Sequence, residues 1–195
     1  DPGGSRWNEI TKFWSDKGCD VTVLAGMVHY GGSEKHSKYK GKYYVKTNQG
    51  SIKVWRCHVS GSYNSNFLGR LLGYFSFVFS SLFVGLFKEN GKFDKIIVTS
   101  PPLFIGITGY ILSRIKKVPY VFEIRDLWPE SAIDTGVVTN KYIIKLSFWL
   151  ERFLYKKAQL INVLTPAFRS ALIDKKGVDE KKIIYIPNAA DFTLS

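Results

Sequence analysis

A doubly wound, mostly parallel α/β sheet, with helices on both faces and one small hairpin, is the fold this sequence of 195 residues predicts. Three observations lead there. Apolar runs of about five residues alternate with helical stretches of about ten to twenty, the mark of parallel strands joined by crossover helices. The composition, 45% hydrophobic and 15% aromatic, supports a packed core and excludes disorder. At this length one domain is the default, burying roughly 70% of the unfolded surface. There is no heptad, internal repeat or low-complexity linker.

The elements follow in order. Ser5 to Lys17 sets Arg6, Trp7, Ile10, Phe13 and Trp14 at helical spacing, with Gly18 as its stop. Val21 to Ala25 is a β-branched apolar run, read as a buried strand. Gly26 to Lys42 is polar and loop-like. Tyr43 to Val45 and Ile52 to Trp55 flank Asn48-Gln49-Gly50-Ser51, a hairpin signal. Phe67 to Phe87 is an apolar helix. Lys95 to Thr99 is a strand, and Pro102 opens a helix to about Arg114. Tyr120 to Ile124 is the next strand and Lys141 to Lys157 an amphipathic helix. Leu160 to Leu164, a helix from Pro166 to Lys175, and Ile183 to Ile186 close the series.

Two cysteines, Cys19 and Cys57, cannot staple a chain of this size. They fit a reducing compartment and read as core residues. Asp1-Pro2-Gly3-Gly4, with no basic stretch or cleavable apolar run, reads as the interior of a longer protein.

The net charge of +12 is concentrated. Between Glu34 and Glu89 no acid occurs, while Lys35, Lys38, Lys40, Lys42, Lys46, Lys53, Arg56, Arg70 and Lys88 do. The Phe67–Phe87 segment lies inside that window. A positive field beside an aromatic, apolar segment suits an anionic membrane surface. Nucleic acid is the rival polyanion, but no recognition motif accompanies the charge and no nucleic-acid partner is expected. The segment is long enough to span a bilayer. Gly69, Gly73, Ser76, Ser80, Ser81 and Gly85 also form a small-residue stripe suited to close packing on a sheet. A core helix with one greasy face, an interfacial helix and a spanning helix are the three readings.

Ligands of open α/β sheets bind beyond the carboxyl ends of the strands. Three segments fall there. Gly3 and Gly4, ahead of Ser5, are either an ordinary loop or backbone amides open to an anion. Thr99-Ser100-Pro101-Pro102 is either a plain helix start or a turn that presents the Ser100 hydroxyl. The third segment is Glu123-Ile124-Arg125-Asp126-Leu127-Trp128-Pro129-Glu130, where apolar pattern gives way to charge. Arg125 is a donor fork for phosphate or carboxylate. Asp126 can orient a sugar hydroxyl or act as a base, and Trp128 offers a face to a sugar ring. The bland reading is a local Arg–Asp pair with a structural tryptophan. Charge at the edge of a buried strand favours function. Phosphate-loop, GxGxxG, GxSxG and HExxH patterns do not occur. His29, His36 and His58 lack metal-ligand spacing, and His29 with Tyr30 reads as a solvated loop before a ligand contact.

The segments PGGSRWNEITKFWSDKGCDVTVLAG, VTSPPLFIGITGYILSRIKKVPYVFEIRDLWPESAIDTGV, LERFLYKKA and IPNAAD resemble the N-terminal half of a family-4 glycosyltransferase of the two-lobed GT-B type. More narrowly they resemble bacterial enzymes of O-antigen and capsule synthesis, N-acetylfucosaminyltransferases among them. The resemblance implies a Rossmann-like, acceptor-binding lobe over residues 1–195. It also implies a first strand ahead of the Gly-Gly loop and a second, donor-binding lobe, both outside this sequence, so that the fragment is inactive alone. Gly3 and Gly4 match the glycine loop that faces the donor diphosphate. Arg125 and Asp126 fall where many relatives carry a His-Asp pair, which puts a histidine-specific role in doubt. Ser100, Trp128 and Glu130 join them as substrate contacts, and Asn188 leads to the second lobe. The implied reaction is retaining transfer from a nucleotide-sugar donor to a polyprenyl-diphosphate-linked or saccharide acceptor, with no cofactor and no metal. The implied place is the cytoplasmic face of the plasma membrane. A lobe of a nucleotide-sugar epimerase and a non-catalytic module that binds membrane or polyanion are the alternatives.

Overall fold

The structure is a computed structural model that describes residues 6–28, 39–61, 67–136 and 138–188. Its strands divide between two compact units, one drawn mainly from the residues up to Asn90 and the other from Gly91–Pro187. The predicted alternation of strands and helices is present, and it builds a parallel four-stranded sheet and a smaller mixed sheet.

The first unit orders its strands β1-β3-β2, with β1 Thr22–Gly26, β2 Tyr44–Gln49 and β3 Ile52–Cys57. Strand β1 runs parallel to β3, and β2 and β3 form the hairpin. Gln49 pairs with Ile52, so the turn has two residues, and Gly50 occupies it at φ 62°. That left-handed conformation favours glycine there. Helix α1 covers Arg6–Asp16 and ends at Gly18, also left-handed. Cys19 follows that stop and is exposed, which corrects its reading as a core residue; Cys57 is buried as expected. Burial pushes the Cys57 thiol up to about 12.

Helix α2, Phe67–Phe87, packs on β1 and β3 through its small residues. Gly73, Ser80, Ser81 and Gly85 are buried. Ser80 Oγ donates to the His58 carbonyl at 2.8 Å, and Ser76 Oγ accepts the Ser60 N–H at 2.8 Å. Val78, Val84 and Phe77 also turn inward, while other large residues turn outward. Leu72, Phe75, Phe79, Phe83 and Phe87 are all exposed. Length and composition alone would let α2 cross a membrane, with about a third of its apolar window buried.

The second unit orders four parallel strands β4-β5-β6-β7: Ile96–Ser100, Tyr120–Ile124, Leu160–Val163 and Ile183–Tyr185. Helices α3 (Ile105–Lys116), α4 (Glu130–Asp134), α5 (Lys141–Lys157) and α6 (Pro166–Asp174) connect them. Helix α3 begins three residues beyond the expected Pro102. Pro102 gives its carbonyl to Ile105 N in a turn first. Side chains cap two of the helices: Asn140 accepts Tyr142 N, and Thr165 accepts Phe168 N just before Pro166. The core joins Val98, Leu103, Tyr120, Phe122, Ile124, Leu154, Ile161, Val163 and Leu172. Gly106 and Gly109 let α3 close on it, since a Cβ at either would overlap Leu154 or Val98.

Candidate functional site

The carboxyl ends of β4 and β5 meet at one corner of the second unit. Ser100 pairs with Ile124 across the two strands, and the Ser100 carbonyl accepts the Arg125 N–H at 3.0 Å. The chain then leaves the sheet into a turn and the short helix α4. Ser100 is itself buried and ties β4 to this turn.

Asp126 is half-buried, and Ser131 Oγ donates to its Oδ2 at 2.6 Å. Its main-chain carbonyl accepts the Trp128 N–H at 3.1 Å. The carboxylate is therefore held in one orientation, with Oδ1 carrying no hydrogen bond among the described residues. Arg125 does not pair with it. The Arg125 side chain is exposed and has no hydrogen-bond or ion-pair partner among the described residues. This distinguishes the corner from a local Arg–Asp pair. A free guanidinium fork beside an oriented carboxylate can take an anionic group and a hydroxyl together.

Trp128 is half-buried and meets Phe104 edge-to-face at 5.4 Å, so part of its ring belongs to the core margin. Glu130 turns toward Lys176, whose Nζ lies 2.5 Å from Glu130 Oε1 and 2.6 Å from Glu151 Oε1. Glu130 Oε2 is buried and has no hydrogen-bond partner among the described residues. Glu151 is buried, and burial raises its carboxyl above the usual carboxylate range while Lys176 pulls the other way. Tyr155, buried against the same carboxylate, has its phenol pushed well up by burial first and by Glu151 second.

Beneath the corner a row of polar side chains crosses the sheet. Glu123 accepts from Thr99 Oγ1 at 3.2 Å and from Asn162 Nδ2 at 2.9 Å, and Asn162 Oδ1 accepts Ile186 N at 3.1 Å. Strand register puts Thr99, Glu123 and Asn162 side by side. The structure thus brings Ser100, Arg125, Asp126, Trp128 and Glu130 to one strand edge. Gly3 and Gly4 lie outside the described residues, as do His29, Tyr30 and His36.

Ser131, Glu151, Asn162 and Lys176 were not singled out by sequence reasoning. Ser131 had a signal in hindsight, since it follows the charged turn by one helical step. The other three are distant in sequence and meet the corner only through folding.

The sequence model of a family described as "Glycosyl transferase 4-like domain" matches residues 3–189. The chain is also 24% identical, over 188 residues, to the "Putative colanic acid biosynthesis glycosyl transferase WcaI" of Escherichia coli (strain K12). That match covers 95% of this chain and 46% of the relative, so the chain spans about half of that protein's length.

Proposed function

This chain belongs to the glycosyl transferase 4-like domain family, and from that premise we propose that it is the acceptor-side part of a sugar-transferring enzyme. The donor is a nucleotide sugar, and the acceptor a lipid-linked or free saccharide of bacterial surface-polysaccharide synthesis. The name of the E. coli relative, which refers to colanic acid biosynthesis, supports that setting. The reaction class is retaining transfer, with N-acetylaminosugars or hexoses as the group moved.

The observation that carries this reading is the corner of β5: Arg125 open to solvent beside Asp126, whose carboxylate Ser131 aims. In this reading Arg125 takes a phosphate or carboxylate oxygen, and Asp126 Oδ1 accepts a sugar hydroxyl or its proton. Glu130, held by Lys176, borders the corner and is the further candidate substrate contact. Trp128 bounds the space on its exposed side.

The test uses the intact protein, a panel of nucleotide sugars and lipid-linked acceptor from membranes. Asp126→Asn is expected to lower transfer about a hundredfold with the thermal midpoint unchanged, the usual scale for a lost acid–base or orienting group. Arg125→Ala is expected to raise KM more than it lowers kcat. Wild-type turnover in Asp126→Asn would remove the corner from the reaction.

We further propose that the protein works at the cytoplasmic face of the plasma membrane. Support comes from the outward apolar face of α2 and from the acid-free, lysine-rich window around it, with Lys40, Lys42 and Lys46 exposed. At the C-terminal end of α2, Lys88 lies over the rings of Tyr44 and Phe83. A cation above half-buried Tyr44 and exposed Phe83 suits the boundary between headgroups and acyl chains.

A further inference from the structure

Helix α5 packs its inner face on α3 and the four-stranded sheet. Ser147, Glu151, Leu154 and Tyr155 are buried, and Tyr110 meets Phe153 edge-to-face at 4.8 Å. Its outer face is unlike an ordinary solvated helix. Tyr142, Leu146 and Trp149 are 84%, 60% and 59% exposed. They fall at i, i+4 and i+7 and form one ridge about 10 Å long, and half-buried Phe153 stacks on Trp149 at 5.6 Å at its end.

The charges beside that ridge have one sign. At 100° per residue, Lys141, Lys145, Arg152 and Lys156 line one flank, all exposed, and Lys157 lies on the other with its ammonium over Phe153. The helix contains one acid, Glu151, and it faces inward to Lys176. Burying this ridge in the protein interior would strand the cations, and leaving it in water exposes a tyrosine, a leucine and a tryptophan together. A layer that is apolar below and anionic above satisfies both.

We infer that the outer face of α5 is a lipid-contact surface that lies in the interface of an anionic bilayer, Trp149 at acyl-boundary depth and its lysines among phosphate headgroups. A second copy of this chain fits poorly, because two such faces would set the lysine columns against one another. A nucleic acid would meet the lysines and leave Leu146 in water. The inference depends neither on the transfer reaction nor on α2, which contains no tryptophan.

That difference provides the test. Intact protein is mixed with phosphatidylglycerol-containing vesicles, with and without brominated acyl chains, and tryptophan emission is compared with that of Trp149→Phe. Quenching in the wild type that largely disappears in Trp149→Phe is expected. Lys145→Gln with Lys156→Gln is expected to lower partitioning about twenty-five-fold, about fivefold per lysine. Phosphatidylcholine alone should bind far less. In Phe79→Ser with Phe87→Ser, total partitioning reports on α2, while quenching per bound molecule through Trp149 stays. Equal quenching in wild type and Trp149→Phe overturns the inference. So does a dimer abolished by Leu146→Glu, or a lysine requirement seen with RNA and not with vesicles.

Discussion

Lys176 serves two carboxylates at once, and its side chain is 9% exposed. Removing it as Lys176→Met leaves Glu130 and Glu151 facing each other without a cation. We expect a loss of about 3 kcal/mol at neutral pH, read from chemical denaturation. Glu151→Gln behaves differently. Burial raises the Glu151 carboxyl in the fold, so its protonated form is the one folding favours. That contribution is present in acid and lost as pH rises past the unfolded value of about 4 and through the folded one. The glutamine variant should therefore gain on the wild type as pH climbs from about 4 to 7. A difference that is flat with pH would mean that Glu151 does not titrate there. The corner itself was legible as sequence, because Arg125 and Asp126 directly follow the buried run of β5. The Lys176 bridge was not, since it depends on how α4 and α5 meet the turn after α6.

Elements were readable where local chemistry agreed with packing. Helix α5 has the expected limits because Asn140 caps one end and the lysine pair closes the other. Asn140→Ala should cost about 1 kcal/mol, visible as a lower thermal midpoint. Helix α3 shows the opposite case. Two prolines ahead of it read as a helix start, yet the helix begins at Ile105, and its stability depends on close approach at Gly106 and Gly109. Gly109→Ala would drive a methyl into Val98, and a cost of about 1–3 kcal/mol is expected. An unchanged midpoint would show that β4 yields there. In α2 the small-residue stripe proved to be the sheet-facing side, a distinction that periodicity alone left among three readings.

For the whole molecule, charge and apolar surface work together. A chain of net charge +12 whose outward helical faces carry Phe, Leu, Tyr and Trp should bind anionic vesicles with strong salt dependence. Replacing Lys38, Lys40 and Lys42 by Glu should weaken that binding at low salt. Partitioning indifferent both to salt and to these replacements would sink the membrane assignment, without touching the chemistry of the corner.

The order of residues was enough for the α/β class, most element limits and the charged turn after β5, because strand and helix periods, caps and an abrupt switch from apolar to ionic are local signals. Which side of α2 and α5 faces outward, and how Lys176 comes to bridge Glu130 and Glu151, came from folding. Those depend on groups far apart along the chain, and only the competition among burial, hydrogen bonding and charge in three dimensions selects their partners.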